Sequence, residues 1–302
     1  MNIIRANLLL LLTAAIWGFA FVAQRAGMEY VGPFTFNGVR FLLGGLSLLP
    51  LLFFFSRNEP SPVKKSGVLF PGVLAGIVLF TAASLQQIGI VTTTAGKAAF
   101  ITSLYIVLVP IISLFMGQTT SKGTWLGCVL SVVGLYFLCI KESSAIQFGD
   151  LLVLIGAFLW AVHILVIGYF SPRVDVLKLS FVQFMTCSAL SLILAFITEE
   201  FVLSNLLAAA VPILYGGIGS VGIAYTLQAV GQKYARPAHA AIILSMEAVF
   251  AAIGGFLLLG EYLEIQEILG CFLMLSGMLV SQTQGMRTGK ARPVNQFTEG
   301  KT

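Results

Sequence analysis

Residues 239–261 read HAAIILSMEAVFAAIGGFLLLGE, a largely apolar run between His239 and Glu261 with a carboxylate, Glu247, near its middle. A helix of this length crosses a hydrocarbon core of about 30 Å. A charge at the centre of a membrane helix costs about 2.5–3.5 kcal/mol or more, so such a side chain faces the interior of the helix bundle. The run therefore predicts a membrane helix in which Glu247 has a task, the alternative being a protonated or paired carboxylate that only supports packing.

The rest of the chain has the same character. Of its 302 residues, 58% are hydrophobic and only 10% are charged, whereas a soluble domain carries about 25% charged residues. Strict alternation of apolar and polar residues, which a membrane β-barrel needs, is absent from runs such as LLLLLTAAIW at 8–17. The sequence thus predicts an all-α polytopic membrane protein. Its ten expected transmembrane helices are residues 7–27, 33–55, 68–90, 96–116, 123–140, 150–170, 177–198, 211–232, 237–259 and 265–283.

Basic residues indicate how the chain is oriented. If the breaks between spans alternate between two sides, most of the 17 Lys and Arg residues fall on the side that holds both termini. The positive-inside rule then predicts cytoplasmic termini in the inner or plasma membrane. The basic residues on this side are Arg5, Arg57, Lys64, Lys65, Lys122, Arg173, Lys178, Lys233, Arg236, Arg287, Lys290, Arg292 and Lys301.

The two halves of the sequence match each other. With an offset of 143 residues, Trp17 falls on Trp160, and with an offset of 142 residues LQQIG at 85–89 falls on LQAVG at 227–231. Each half holds five spans, an odd number, so the second half crosses the membrane in the opposite sense. Inverted repeats are typical of transporters that use alternating access around a site at the repeat interface, near the midplane.

Four stretches, in this order and number, carry a resemblance to a known family. They are AAIWGFAFV at 14–22, FNGVRFLLGGLSLL at 36–49, AAFITSLYIVLVPIIS at 98–113 and MEAVFAAIGGFLLLGEYL at 246–263. The chain resembles the drug/metabolite transporter superfamily, specifically its EamA-type members, over nearly its whole length. The resemblance implies a central cavity surrounded by helices 1, 3, 4, 6, 8 and 9, and transport of small organic metabolites, often outward. Ala248 stands where the family commonly has Pro, which leaves a helix break at this point open.

The repeat and the resemblance together divide the chain into three parts. We expect a first EamA-like repeat at residues 1–147, a second at residues 148–284, and a disordered cytoplasmic tail at residues 285–302. The tail is polar and interrupted by Gly and Pro, a composition that does not support a packed core.

One face of the ninth span holds the leading site candidates. Helical spacing puts His239 and Glu247 on this face, and the repeat maps it onto Lys97 and Tyr105 in the fourth span. Lys97 is expected near the outer mouth and His239 near the inner mouth, each as a gate or substrate contact. The alternatives are a lysine that snorkels to water and a solvated histidine at a helix start.

Five further side chains lie within spans and complete the candidate substrate or proton site. Arg40 lies about 10 Å into its helix, where it pairs with a carbonyl or carboxylate or contacts substrate. Gln86 and Gln228 either form interhelical hydrogen bonds or line the cavity. Trp17 and Trp160 lie mid-span, away from the membrane interfaces where Trp is usual, and either wall the cavity or pack against other helices.

No catalytic, cofactor or metal site is predicted. The four cysteines lie inside spans without C-x-x-C spacing. GIGSVG at 217–222 fits the dinucleotide-binding pattern G-x-G-x-x-G, but it lies within a span, where glycines allow close helix packing.

The leading interpretation is a secondary transporter without enzyme activity. Its expected partners are a small-molecule substrate, the lipid bilayer and protons, with no nucleic acid and no partner chain. A channel or a sensory or scaffold protein is the alternative, followed by an intramembrane enzyme. A channel usually has a ring of equivalent charges or a carbonyl filter, and motifs such as H-E-x-x-H and G-x-S-x-G are absent.

Overall fold

The computed structural model of the protein describes residues 1–55, 67–118, 120–139, 147–259 and 264–287. These residues form ten long helical units and one short helix, Leu203–Ala208, and contain no strand. The units are α1 (Ile3–Gly27), α2 (Pro33–Ser47, continued by Leu49–Phe55), α3 (Leu69–Ile90), α4 (Ala95–Ser103 and Tyr105–Phe115), α5 (Lys122–Cys139), α6 (Phe148–Phe170), α7 (Val176–Thr198), α8 (Ala210–Leu214, Tyr215–Tyr225 and Thr226–Gln232), α9 (Pro237–Leu244 and Glu247–Leu259) and α10 (Ile265–Arg287).

The ten units coincide with the ten expected spans to within a few residues. Eight of them are long and apolar enough to cross a membrane. The other two, α5 and α10, contain shorter apolar stretches, Lys122–Phe137 and Ile265–Ser281. The all-α polytopic membrane fold is therefore confirmed. Helix α10 continues to Arg287, three residues into the segment expected to be a disordered tail, and residues 288–302 lie outside the described part of the chain.

Local chemistry explains several helix starts. The Asn2 side chain accepts a hydrogen bond from the Arg5 backbone N–H at the start of α1, and Asp175 caps α7 in the same way. Pro33 and Pro237 occupy the first turns of α2 and α9, where a missing N–H costs nothing.

The seam between α5 and α10 shows how the two halves are related. A Cβ added to Gly127 would lie 2.7 Å from the carbonyl oxygen of Gly277, and one added to Gly134 would lie 2.6 Å from that of Gly270. The contacts advance along one helix as they recede along the other, so α5 and α10 are antiparallel. The repeat offset of 143 residues exchanges the two contacts with each other, as a two-fold relation between the halves requires.

The same relation holds for the helices that surround the centre. Helix α3 approaches α6 where Gly89 meets the carbonyl of Gly149, and α8 approaches α1 at the equivalent pair, where Gly231 meets the carbonyl of Ala6. Helices α4 and α9 also pack against each other. The repeats are therefore inverted, and α4 and α9 meet between them.

Both α4 and α9 are interrupted near the middle. Helix α4 breaks at Leu104, before a segment that contains Pro110. Because Pro110 has no N–H, the Ile106 carbonyl loses its helical partner, and Cys128 Sγ donates to that carbonyl at 3.4 Å.

Helix α9 breaks at Ser245 and Met246 although Ala248 replaces the proline common in the family. The Ser245 hydroxyl donates to the Ile242 carbonyl at 2.9 Å, a local bond that bends helices. The break places Glu247 at the first residue of the second α9 segment.

Candidate functional site

A central cavity lies between the two halves and is lined by residues of both. Its walls come from α1, α2, α3, α4, α6, α8 and α9. Six of these helices are those implied by the family resemblance, and α2 joins them through Arg40. Seven of the nine candidate residues line this cavity, namely Trp17, Arg40, Gln86, Tyr105, Trp160, Gln228 and Glu247.

Three aromatic rings form one wall of the cavity. Tyr225 lies between the two tryptophans, with its ring centroid 4.6 Å from that of Trp17 and 6.0 Å from that of Trp160. The indole N–H groups are both bonded, Trp17 to the Ser220 carbonyl at 3.3 Å and Trp160 to Gln86 Oε1 at 2.7 Å. These bonds fix the rings, so the wall presents a preformed flat surface.

Gln86 organises the polar side of the cavity near the end of α3. Its Oε1 also accepts from the Thr102 hydroxyl at 3.3 Å, and its Nε2 donates to Gln24 Oε1 at 3.0 Å. With the Trp160 bond, Gln86 connects α1, α3, α4 and α6. Both of its expected roles, interhelical bonding and cavity lining, are thus combined in one side chain.

The second half lacks an equivalent network on the side where α9 begins. Gln228 is the repeat counterpart of Gln86, yet neither its Oε1 nor its Nε2 has a hydrogen-bond partner among the residues described. His163 Nε2 meets Gln183 Oε1 at 3.0 Å, while His163 Nδ1, Gln183 Nε2 and Gln232 Oε1 are buried without partners in the same described set. Gln232 Nε2 does donate to the Ile164 carbonyl at 2.9 Å. We call these four side chains, each with at least one polar atom that lacks a partner among the described residues, the unpaired cluster.

Glu247 is buried in the cavity wall, with only 3% of its surface exposed. Its Oε1 has no hydrogen-bond partner within the described ranges, and the same holds for the Tyr105 hydroxyl. The hydroxyls of Tyr105 and Ser103 are the polar groups next to the carboxylate. Ser103 also lies 3.5 Å from the carbonyl oxygen of Ser245, its repeat counterpart, across the centre of the molecule. Glu247 thus faces the bundle interior, and no described Lys or Arg forms an ion pair with its carboxylate.

Arg40 reaches the cavity from α2 and is 1% exposed. Its Nε donates to Asn37 Oδ1 at 2.9 Å. The guanidinium carbon lies 5.5 Å from the centroid of the Phe36 ring and 4.9 Å from that of Phe41. The carboxylate partner considered from the sequence is not found in the part of the chain that the structure describes.

Lys97 and His239 lie outside the cavity. Lys97 Nζ forms an ion pair with Asp150 Oδ2 at 2.6 Å, and Asp150 also accepts from the Thr93 hydroxyl at 2.7 Å and from the Gln147 N–H at 2.8 Å. This cluster ties the start of α4 to the start of α6. His239 Nδ1 meets Ser281 Oγ at 3.1 Å and ties α9 to α10.

Several cavity residues were missed by the sequence reasoning. Tyr225 contributes the central ring, yet a tyrosine within a span carries no periodic signal. Gln24 and Thr102 complete the Gln86 network. Gln24 was detectable, because a glutamine three residues before the end of α1 is unusual in so apolar a span. No group of three or more His, Cys, Asp or Glu that could hold a metal occurs among the described residues.

Residues 4–140 and 147–283 each match the EamA-like transporter family. An uncharacterized transporter of Archaeoglobus fulgidus is 33% identical over 277 residues, which are 91% of this chain and 85% of that protein. The uncharacterized transporter YoaV of Bacillus subtilis is 25% identical over 88% of this chain and 92% of its own length.

A solved crystal structure has the same fold, with a TM-score of 0.75 at 20% sequence identity over 94% of this chain and 98% of that one. The relatives are named as transporters, and the family matches account for both halves of the chain. The protein therefore belongs to the EamA-like transporter family.

Proposed function

We propose that the protein is a secondary transporter that moves a small organic metabolite, such as an amino acid, an amine or a drug-like compound, by alternating access. The observation that carries this proposal is the central cavity, because its walls come from both inverted repeats. Rocking one repeat against the other exposes such a site to one side of the membrane at a time.

The interrupted helices support this motion. Helices α4 and α9 both break beside the cavity, near Tyr105 and Glu247. A broken helix bends at lower cost than a continuous one, since fewer backbone hydrogen bonds must be lost. In the proposal, the Lys97–Asp150 pair is a gate at one mouth and His239 lies at the other.

Glu247 is the proposed group through which transport is coupled to protons or to a cargo amine. A buried carboxylate without a cationic partner either carries a proton between the two mouths or balances the charge of an amine. We further propose that transport is outward across the inner or plasma membrane, that protons drive it, and that it needs no cofactor, nucleic acid or partner chain.

The substrate is found by comparing cells with and without the gene in a screen for resistance to metabolites and toxic analogues. Purified protein in vesicles should then give saturable transport of the compound identified. Flux that does not saturate would indicate a pore instead of a carrier, and chemical conversion of the compound would indicate an enzyme.

The substitution Glu247→Gln keeps the shape of the side chain and removes its charge. A proton carrier should lose gradient-driven transport and keep exchange, whereas a counter-charge should lose substrate affinity at every pH. Glu29→Gln, the same change at an exposed carboxylate, is the control and should transport like the wild type. Wild-type transport by Glu247→Gln from mildly acidic to mildly basic pH would show that the carboxylate is structural.

A further inference from the structure

We propose that Arg40 binds a carboxylate of the cargo, so that the transported compound is a zwitterion whose amine is held by Glu247. This inference rests on the proposed function and narrows its substrate class. The observation behind it is that the Arg40 guanidinium in the cavity wall has no anionic partner among the described residues.

Arg40 is a permanent charge in an apolar place. Its guanidinium stays protonated in proteins, and only 1% of the side chain is exposed. A charge buried at membrane depth requires a compensating group, and removing one partner of a buried pair is strongly destabilising. An anion is therefore expected beside Arg40 for at least part of the working cycle.

The described residues do not supply that anion. The guanidinium makes one hydrogen bond among them, from Nε to Asn37, which is neutral. Asp150 is occupied by Lys97 at 2.6 Å. Glu247, the other ionisable group of the cavity wall together with tyrosine, makes no ion pair with Arg40 at 4.0 Å or less.

The surroundings of Arg40 suit a planar anion. The Phe36 and Phe41 rings lie beside the guanidinium, and Asn37 holds Nε, so the orientation of the fork is fixed. The terminal NH₂ groups remain for the cavity. A carboxylate matches such a fork with two parallel hydrogen bonds.

The two repeats differ at the position of Arg40, and this difference limits the cargo to one carboxylate. The repeat counterpart of Arg40 is Gln183, and its Oε1 contacts His163 at 3.0 Å. A neutral amide gives no second strong anion site. One cationic and one acidic residue therefore line the cavity, and a compound with one carboxylate and one amine balances both.

The body of the cargo should be partly apolar. The wall of Trp17, Tyr225 and Trp160 offers a flat apolar surface for it. The zwitterion thus has its charged groups at Arg40 and Glu247 and its side chain against the aromatic wall.

Binding is measured by tryptophan fluorescence of purified protein in lipid nanodiscs. The chain has three tryptophans, and Trp125→Phe leaves Trp17 and Trp160 in the cavity as the only tryptophans. The probes are the standard amino acids other than tryptophan, together with matched sets that lack one charge. One set is L-leucine, isopentylamine and 4-methylpentanoate, and the other is L-phenylalanine, 2-phenylethylamine and 3-phenylpropanoate.

Arg40→Gln copies the residue found in the second repeat. It should weaken binding of zwitterions and acids at least about tenfold, because a charge-assisted bond is lost, and leave amines within about twofold. Arg40→Lys should retain part of the affinity for acids, since it keeps the charge and loses the fork. Glu247→Gln should show the reverse selectivity and weaken amines and zwitterions only.

Three results would overturn the inference. They are an equal loss of all three probe types in Arg40→Gln, wild-type binding of acids by this variant, and failure of every amino acid and acid to bind the wild type. A lower melting temperature identifies variants that have lost the fold. If Arg40→Gln is one of them, the binding of acids, amines and zwitterions is compared between Arg40→Lys and the wild type. Saturable transport of an amine that does not depend on Arg40 would refute the zwitterionic cargo and leave the proposed transport function standing. Binding that is selective for zwitterions, without transport, would support the cargo class and refute the transport function.

Discussion

At the scale of single residues, the cavity separates side chains that are satisfied by the protein from those that are not. Gln86 and Trp160 are bonded to each other and to neighbouring helices, so they hold the cavity in shape. Glu247 Oε1 is buried without a hydrogen-bond partner among the described residues, and the buried Arg40 side chain donates one hydrogen bond there, to Asn37. Substitutions of Gln86 or Trp160 should change the stability of the fold. Substitutions of Glu247 or Arg40 should change the affinity for substrate or the coupling of transport to protons.

Asp150 should matter more for stability than its partner Lys97. Its carboxylate accepts from Lys97, Thr93 and Gln147, so Asp150→Asn weakens three bonds at once. Lys97→Met removes one and leaves two donors in place. We expect Lys97→Met to cost about 1–3 kcal/mol of unfolding free energy and Asp150→Asn to cost more, as measured by thermal unfolding in detergent. The opposite order would mean that the ion pair dominates the cluster.

The sequence was a better guide to the residues that meet in the cavity than to the contacts that each of them makes. Seven candidates meet in one cavity because each lies within a span on a helix that packs around the centre. Lys97 pairs with Asp150 because α4 and α6 start side by side, and this tertiary relation leaves no mark in either span alone. The break in α9 was equally hidden, since Ser245 bends the helix without a proline.

At the scale of helices, backbone approach at glycine controls the assembly. The α5–α10 seam depends on Gly134, where a Cβ would lie 2.6 Å from the Gly270 carbonyl oxygen. Close approach of this kind replaces the hydrophobic effect as a source of helix association in lipid, since packing and polar contacts carry the stabilisation there.

Gly134→Ala should therefore destabilise the protein by about 1–3 kcal/mol through overpacking. Gly96→Ala is the matched control, because a Cβ at Gly96 in α4 meets nothing within 4 Å. In that helix, alanine should be neutral or stabilising by up to about 1 kcal/mol. Melting temperatures of the two variants test the difference, and equal values would show that the seam yields to the added methyl group.

At the scale of the whole molecule, the inverted repeat constrains topology. Antiparallel pairs such as α5 and α10 require the halves to cross in opposite senses. The proposed orientation, with both termini in the cytoplasm, comes from the basic residues and is independent of the packing.

Cysteine labelling in intact cells tests this orientation. Asn205 precedes α8 on the proposed outer side and Lys178 lies at the start of α7 on the inner side, and both are exposed. Asn205→Cys should react with a reagent that does not cross membranes, and Lys178→Cys should react only after the cells are opened. The reversed pattern would invert the orientation and exchange the two mouths.

The unpaired cluster of Gln228, His163, Gln183 and Gln232 has an energetic consequence for the transport cycle. Each buried polar atom without a partner raises the free energy of the conformation that contains it by about 1–3 kcal/mol, and five such atoms occur in these four side chains. A conformation that admits water to these atoms removes that penalty. Buried polar atoms without a partner among the described residues also occur in the first half, such as Gln87 Oε1 and the Ser84 and Tyr105 hydroxyl oxygens. In the proposed transport cycle, water that enters either half therefore stabilises the conformation in which that half is open.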